Sequence, residues 1–376
     1  MSNQFPVTSN LIHLNHAAVG PWPQVTADAV SVFARENVEF GSLHYLRWLE
    51  IEKKLRQQLA ELINADSVDE IALVKNTSEG LSFVAYGLPW QPGDNVVGIQ
   101  QEFPSNRFVW DSLDSKGVEF RQLDLDSSSD PEQALMALCD ANTRLISVSA
   151  VQYHNGFRMD LPRIGRFCRE QNILFCVDAI QQLGALQFDV QSIDADFVIA
   201  DGHKWLLSAE GLGLFYVRKA VMDRLQILQY GWHMAKPMGD YSARSFELAS
   251  TARRFECGSP NMLAIHAMQA SLGVLLATGL EVIERQVLDN SRFLLLGLCA
   301  IPGVEVFSNR SDKRLSGIVT FSSQQLAAEK LYQRLSEENI LCAQRGGGVR
   351  LSPHFYTPRK QLEQALAIIE RVLKSG

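Results

Sequence analysis

Several things that this chain has little of narrow its function first. Positive charge is in deficit: 35 Lys and Arg against 42 Asp and Glu leave a net charge of −7, so there is no basic footprint for nucleic acid. Cysteine is scarce and scattered. The six residues, at 139, 168, 176, 257, 299 and 342, have no zinc-type spacing. Four sit in apolar helical or strand patterns, which reads as reduced, mostly buried thiols. The longest apolar run, ASLGVLLATGLEVI, is too short and too punctuated to span a bilayer. No basic-plus-apolar leader opens the chain, so cytoplasmic residence is expected. There is no internal repeat and no low-complexity segment. What is left is 46% apolar and 20% charged over 376 residues, a globular composition too long for one ordinary core and about right for two domains.

The informative stretch runs from Asn172 to Gly213, NILFCVDAIQQLGALQFDVQSIDADFVIADGHKWLLSAEGLG. Two short apolar strands, ILFCV and DFVIA, flank a helix-like segment. The first ends on Asp178, and the second runs into Asp201-Gly202-His203-Lys204-Trp205. This is the pattern of a βαβ unit with functional residues at the carboxyl ends of parallel strands, where open α/β sheets bind ligands. Singly, each residue has a plain explanation: Asp178 as a cap, Lys204 as a solvated charge. Together they suit pyridoxal 5'-phosphate. The Lys amine forms a Schiff base with the aldehyde, and the Asp pairs with the protonated pyridine nitrogen, making the ring an electron sink. A second segment, IALVKNTSEGLSFVAYGL, is a buried strand followed by a turn that opens a helix. Hydroxyls and free amides at a helix start form an anion site. With Lys204 in place, Thr77, Ser78 and the Glu79 amide are expected to hold the cofactor phosphate.

VDAIQQLGA followed by DGHKW resembles the class V aminotransferase group of fold-type-I pyridoxal phosphate enzymes, which includes cysteine desulfurases, selenocysteine lyases, isopenicillin N epimerase-like proteins and kynureninase. The similarity extends from LNHAAVGP near the start to VRLSPHFYT near the end. It implies an α/β fold: a large domain with a mainly parallel seven-stranded sheet and a smaller α+β C-terminal domain. We expect an N-terminal segment over residues 1–20 that lines the active site, a large cofactor domain over 21–264 and a small domain over 265–376. The resemblance implies substrate contact by Asn15 and His16, although a strand-end Asn and His satisfied by backbone explain them equally. The loop Phe103-Pro104-Ser105-Asn106 lacks the ring-stacking His of the desulfurases and looks like that of kynureninase. Phe103 is assigned to stack on the cofactor, with Pro104 as the alternative register. Asn155 and Gln181 match family residues on the phenolic oxygen, and His203 matches a phosphate ligand. Asp201 stands where desulfurases carry Ser, so its carboxylate must turn away or use a bridging donor. Gly258-Ser259-Pro260-Asn261 matches a turn that reaches a neighbour's phosphate, implying a homodimer with shared sites through Ser259. Arg350 lies in GGGVRLSPHFYTP, where a planar guanidinium fork binds the α-carboxylate of an amino-acid substrate at two points.

The reaction is less legible than the cofactor. An aminotransferase of class V type is the expectation. The alternatives are a lyase or epimerase, or a cysteine desulfurase or selenocysteine lyase. A catalytically silent binding homologue is disfavoured by the intact Lys204, Asp178 and Arg350. A desulfurase needs a mobile thiol ahead of the carboxylate-binding Arg. The span from Arg345 to Arg350 has no Cys, and Cys342 in ILCA reads as a buried strand residue.

Overall fold

The computed structural model describes residues 4–236, 239–240, 242 and 245–375. The first three residues of the expected N-terminal segment lie outside them. A seven-stranded sheet organises the large domain. In chain order its strands are β1 (Ile71–Val74), β2 (Asn95–Ile99), β3 (Glu119–Leu123), β4 (Thr143–Ser149), β5 (Leu174–Asp178), β6 (Phe197–Asp201) and β7 (Gly213–Val217). Their spatial order is β1-β7-β6-β5-β4-β2-β3. All pairings are parallel except those of β7, which runs antiparallel to both neighbours. The central strands are buried throughout, because helices cover both faces. Continuous apolar runs such as FVIA are what a doubly covered parallel sheet requires.

The C-terminal unit is a four-stranded antiparallel sheet. Its strands are β8 (Val304–Val306), β9 (Val319–Ser323), β10 (Ala343–Arg345) and β11 (Gly348–Leu351), in the order β8-β9-β11-β10. Helix Met262–Thr278 was expected to begin this unit near residue 265. Instead Met262, Ala264, Ile265, Met268, Leu272 and Leu275 all belong to the large-domain core. The chain turns at Gly279, and Leu294, Leu295 and Leu298 of the next helix join the C-terminal core. Residues 5–20 bind the two units together. Ile12–His13 pairs in parallel with Ile340–Leu341, and the Gly20 amide donates to the His203 carbonyl at 2.8 Å. Gly20 packs directly on the Lys204 carbonyl, so no side chain fits there.

No helix among the described residues is by itself long and apolar enough to cross a membrane. One sharply bent pair, Met262–Thr278 and Leu280–Cys299, passes on length and composition, and much of its apolar surface lies in the cores just named.

Candidate active site

The carboxyl ends of β1, β4, β5 and β6 face a cavity of about 410 Å³. Asp178 and Asp201 end adjacent strands and form its floor with Ser149, which pairs with Asp178 across the sheet. Lys204 follows β6 in a tight turn and enters the same space. Helix α1 (Thr77–Gly87) points its start at the cavity, with Asn76, Thr77 and Ser78 on the wall. The Thr77 hydroxyl is buried and has no partner. Ser78 Oγ donates to Ser105 Oγ at 2.8 Å. Phe103 lines the cavity as an exposed ring, its centroid 5.6 Å from Lys204 Nζ, while Pro104 does not reach the cavity. Arg350 enters from β11 in the C-terminal unit.

The charges are tuned by burial. Asp178 is 3% exposed. Desolvation lifts its carboxyl from 3.8 to about 6, while the Ile180 amide at 3.0 Å and Lys204 pull it down and Asp201 pushes it up. Desolvation likewise lowers Lys204 to about 8, with Asp178 opposing and Arg350 assisting. Arg350 falls to about 9, first through burial and then through repulsion from Arg345. Its Nη1 donates to the Tyr153 carbonyl at 2.6 Å, and its Nε is buried and unpartnered. Asp201 lines the cavity. Its Oδ1 accepts from the Gly202 amide at 2.9 Å and lies 3.3 Å from His203 Nδ1.

Gln181 also lines the cavity, but its amide bridges the N-terminal segment to the Lys204 turn: Nε2 donates to Ala17 O, and Oε1 accepts from Trp205 Nε1. Other expected site residues stand elsewhere. Asn155 caps its own loop, accepting from the Phe157 amide at 3.0 Å, and faces a separate cleft with Asn309 and Arg314. The Glu79 amide is capped by Asn76 Oδ1 at 3.0 Å, and the Glu79 carboxylate pairs with Lys75. Only the Thr77 and Ser78 part of that expected anion site borders the cavity. His16 stands in the core, off the cavity wall. It is fully buried, hydrogen-bonded to Ser352 O at 2.8 Å and the Tyr356 hydroxyl at 2.6 Å, and surrounded by the His13, His354 and Trp205 rings. Burial holds its imidazole well below the ordinary value. Asn15 lies off the cavity too, its buried Oδ1 unpartnered. The following residues, Ala17, Ala18 and Val19, line it instead. Ser259 is exposed and outside this cavity.

The sequence reading passed over Tyr153, Ser149, Glu210 and Arg345, all on the cavity wall. Tyr153 meets Phe103 edge-on at 5.3 Å. Behind Ser149 lies Glu102, which takes the Ser149 amide, the Ser149 hydroxyl and Gln152 Nε2. Burial lifts its carboxyl to about 7.

A desolvated lysine, a buried acid in the same cavity, an unpartnered helix-start hydroxyl and an aromatic ring on its wall fit pyridoxal phosphate. Together with this sheet topology they define a fold-type-I pyridoxal phosphate enzyme. The model of the aminotransferase class-V family matches residues 12–363, and the chain belongs to that family, whose cofactor is pyridoxal phosphate. A probable cysteine desulfurase of Methanothermobacter thermautotrophicus is 28% identical over 394 aligned positions, covering 99% of this chain and 97% of that relative. Among solved structures, a cysteine desulfurase from Thermococcus onnurineus superposes with a TM-score of 0.90 at 23% identity, covering 100% and 98% of the two chains. A cystine C–S lyase solved with its reaction product, cysteine persulfide, gives a TM-score of 0.92 at 23% identity, covering 98% and 99%.

Proposed function

We propose that this protein is a pyridoxal-phosphate-dependent lyase that breaks the carbon–sulfur bond of a cysteine-class amino acid. When bound, the cofactor supplies an aldehyde that takes up the substrate amine and a ring that withdraws electrons from the α-carbon. Burial, which lowers Lys204 to about 8, favours the neutral amine, the form that would take the α-proton. Asp178, buried at the end of β5, would pair with the ring nitrogen and favour its protonated form. Thr77 and Ser78 would hold the phosphate, Phe103 would stack on the ring, and Arg350 would bind the α-carboxylate. Overall, R–S–CH2–CH(NH3+)–COO− and water give R–SH, pyruvate and ammonium, with the Cβ–S electron pair leaving on sulfur.

The observation that carries this reading is a complete proton-abstracting site with no thiol in it. No cysteine lines the cavity among the described residues. Cys342 is 1% exposed in the C-terminal apolar core, and burial pushes its thiol up to about 12, so it is a poor nucleophile. Transamination uses the same residues, but the desulfurase and C–S lyase names of the relatives move the weight from nitrogen to sulfur. Elimination needs no protein thiol, whereas persulfide transfer does. The exposed Ser259, outside its own cavity, supports a homodimer in which it serves the partner's site. Size-exclusion that finds a fully active monomer contradicts that arrangement.

The test is product analysis with cystine and cysteine on wild type and Cys342→Ala. Pyruvate and ammonium in both proteins, at rates within about threefold of each other, support the lyase. Alanine, with a persulfide on Cys342, replaces it with a desulfurase.

A further inference from the structure

Arg345 and Arg350 belong to one hairpin. In its register Ala343 faces Arg350, Gln344 faces Val349 and Arg345 faces Gly348. Directly opposed residues share a face, and faces alternate along each strand. The two arginines therefore lie on the same face, one pair apart. Their cross-strand partners are Ala343 and Gly348, which leave that face to the guanidinium groups. The turn between them is made by Gly346 and Gly347 at φ 55° and 77°, a backbone that glycine adopts freely.

Both arginines line the cavity beside Lys204, and neither has a carboxylate partner among the described residues. Arg350 donates to Tyr153 O, and Arg345 donates to the Gln344 carbonyl. The acids of the cavity do not compensate them. Asp178 faces Lys204, Asp201 is turned to Gly202 and His203, and Glu210 forms no ion pair with either arginine. Arg345 in turn makes it harder to hold charge on Arg350 and on Lys204. In the reading above one α-carboxylate takes up Arg350, while the exposed Arg345 guanidinium keeps no acidic partner among the described residues.

We infer that Arg345 recognises a second anionic group on the substrate, at the end of the sulfur substituent farthest from the α-carbon. The preferred substrates are then cysteine-class amino acids whose sulfur carries an oxyanionic arm, such as a carboxylate. The chemistry of this inference rests on the lyase reading, but the charge preference concerns binding alone.

The test compares S-carboxymethyl-L-cysteine with its isosteric amide, S-carbamoylmethyl-L-cysteine, by titrating the visible band of the holoenzyme. The wild type is expected to bind the carboxylate about tenfold more tightly than the amide. Arg345→Gln is expected to bring the two within about twofold, chiefly by weakening the carboxylate. Equal affinities in the wild type overturn the inference. So does an Arg345→Gln variant that weakens both ligands alike, since Arg345 then shares the α-carboxylate with Arg350. Pyruvate is measured in the same samples. A preserved charge preference without pyruvate upholds the inference and removes the lyase reading.

Discussion

Arg56 and Arg350 both carry a guanidinium into the interior, and their surroundings differ in kind. Arg56 is saturated. It forks onto Glu256 at 2.6 and 2.7 Å, reaches Glu52 at 2.6 Å and donates to Ile71 O at 3.0 Å. Those carboxylates hold its charge firmly in place despite burial. Arg350 has one carbonyl for a partner, an unpartnered Nε and a value pushed down to about 9. Folding alone gives no reason to bury an uncompensated charge. Arg56 is explained by what it touches inside the chain, whereas Arg350 touches no group there that offsets its charge, as its proposed carboxylate-binding role requires. The same contrast separates His16, with both ring nitrogens bonded, from the unpartnered Thr77 hydroxyl on the cavity wall.

The largest effect is expected at Lys204. Lys204→Ala should lower kcat/KM by about 10³-fold or more and abolish the borohydride-fixed cofactor adduct on the protein. Peptide mapping that finds the adduct on another lysine removes Lys204 from its role. Next comes Arg56→Met. It leaves Glu52 and Glu256 buried without their cation, and should cost about 3–5 kcal/mol in urea unfolding. A loss under about 1 kcal/mol would break the contrast from its structural side.

Asp178→Asn has a smaller effect with a definite pH signature. In the cofactor-free protein, the folded carboxyl titrates near 6 against 3.8 ordinarily. Between those values the folded state binds more protons than the unfolded state, so wild-type stability falls as pH rises through that window. Asn carries no charge to desolvate. The cofactor-free variant should therefore be more stable than wild type by about 3 kcal/mol at pH 8, with the gain fading below about pH 4. A variant less stable at pH 8 would mean that the carboxylate serves the fold.

The sequence made the sheet legible because apolar runs ending on Asp178 and Asp201 leave little freedom in where a parallel strand stops. Lys204 followed from its place after β6. Asn155, Glu79 and His16 were harder. Their residue types suit a ligand, but a local Asx turn, a helix cap and a ring cluster had already claimed them, and these depend on loop geometry and on contacts far along the chain. Arg345 was partly visible. Its spacing from Arg350 across three glycines is that of a tight hairpin, which sets both side chains on one face, but only the strand register fixes this. Tyr153 gave no signal: a loop aromatic beside an Asn reads the same whether it faces a cavity or solvent.

The most direct measurement is the urea unfolding of cofactor-free Arg350→Met. If Arg350 is held open for a carboxylate, removing its charge should leave stability within about 1 kcal/mol of wild type or raise it, while amino-acid binding by the holoenzyme weakens about tenfold or more. A loss of stability as large as that of Arg56→Met, with binding intact, would make Arg350 a structural charge and contradict its place in the site.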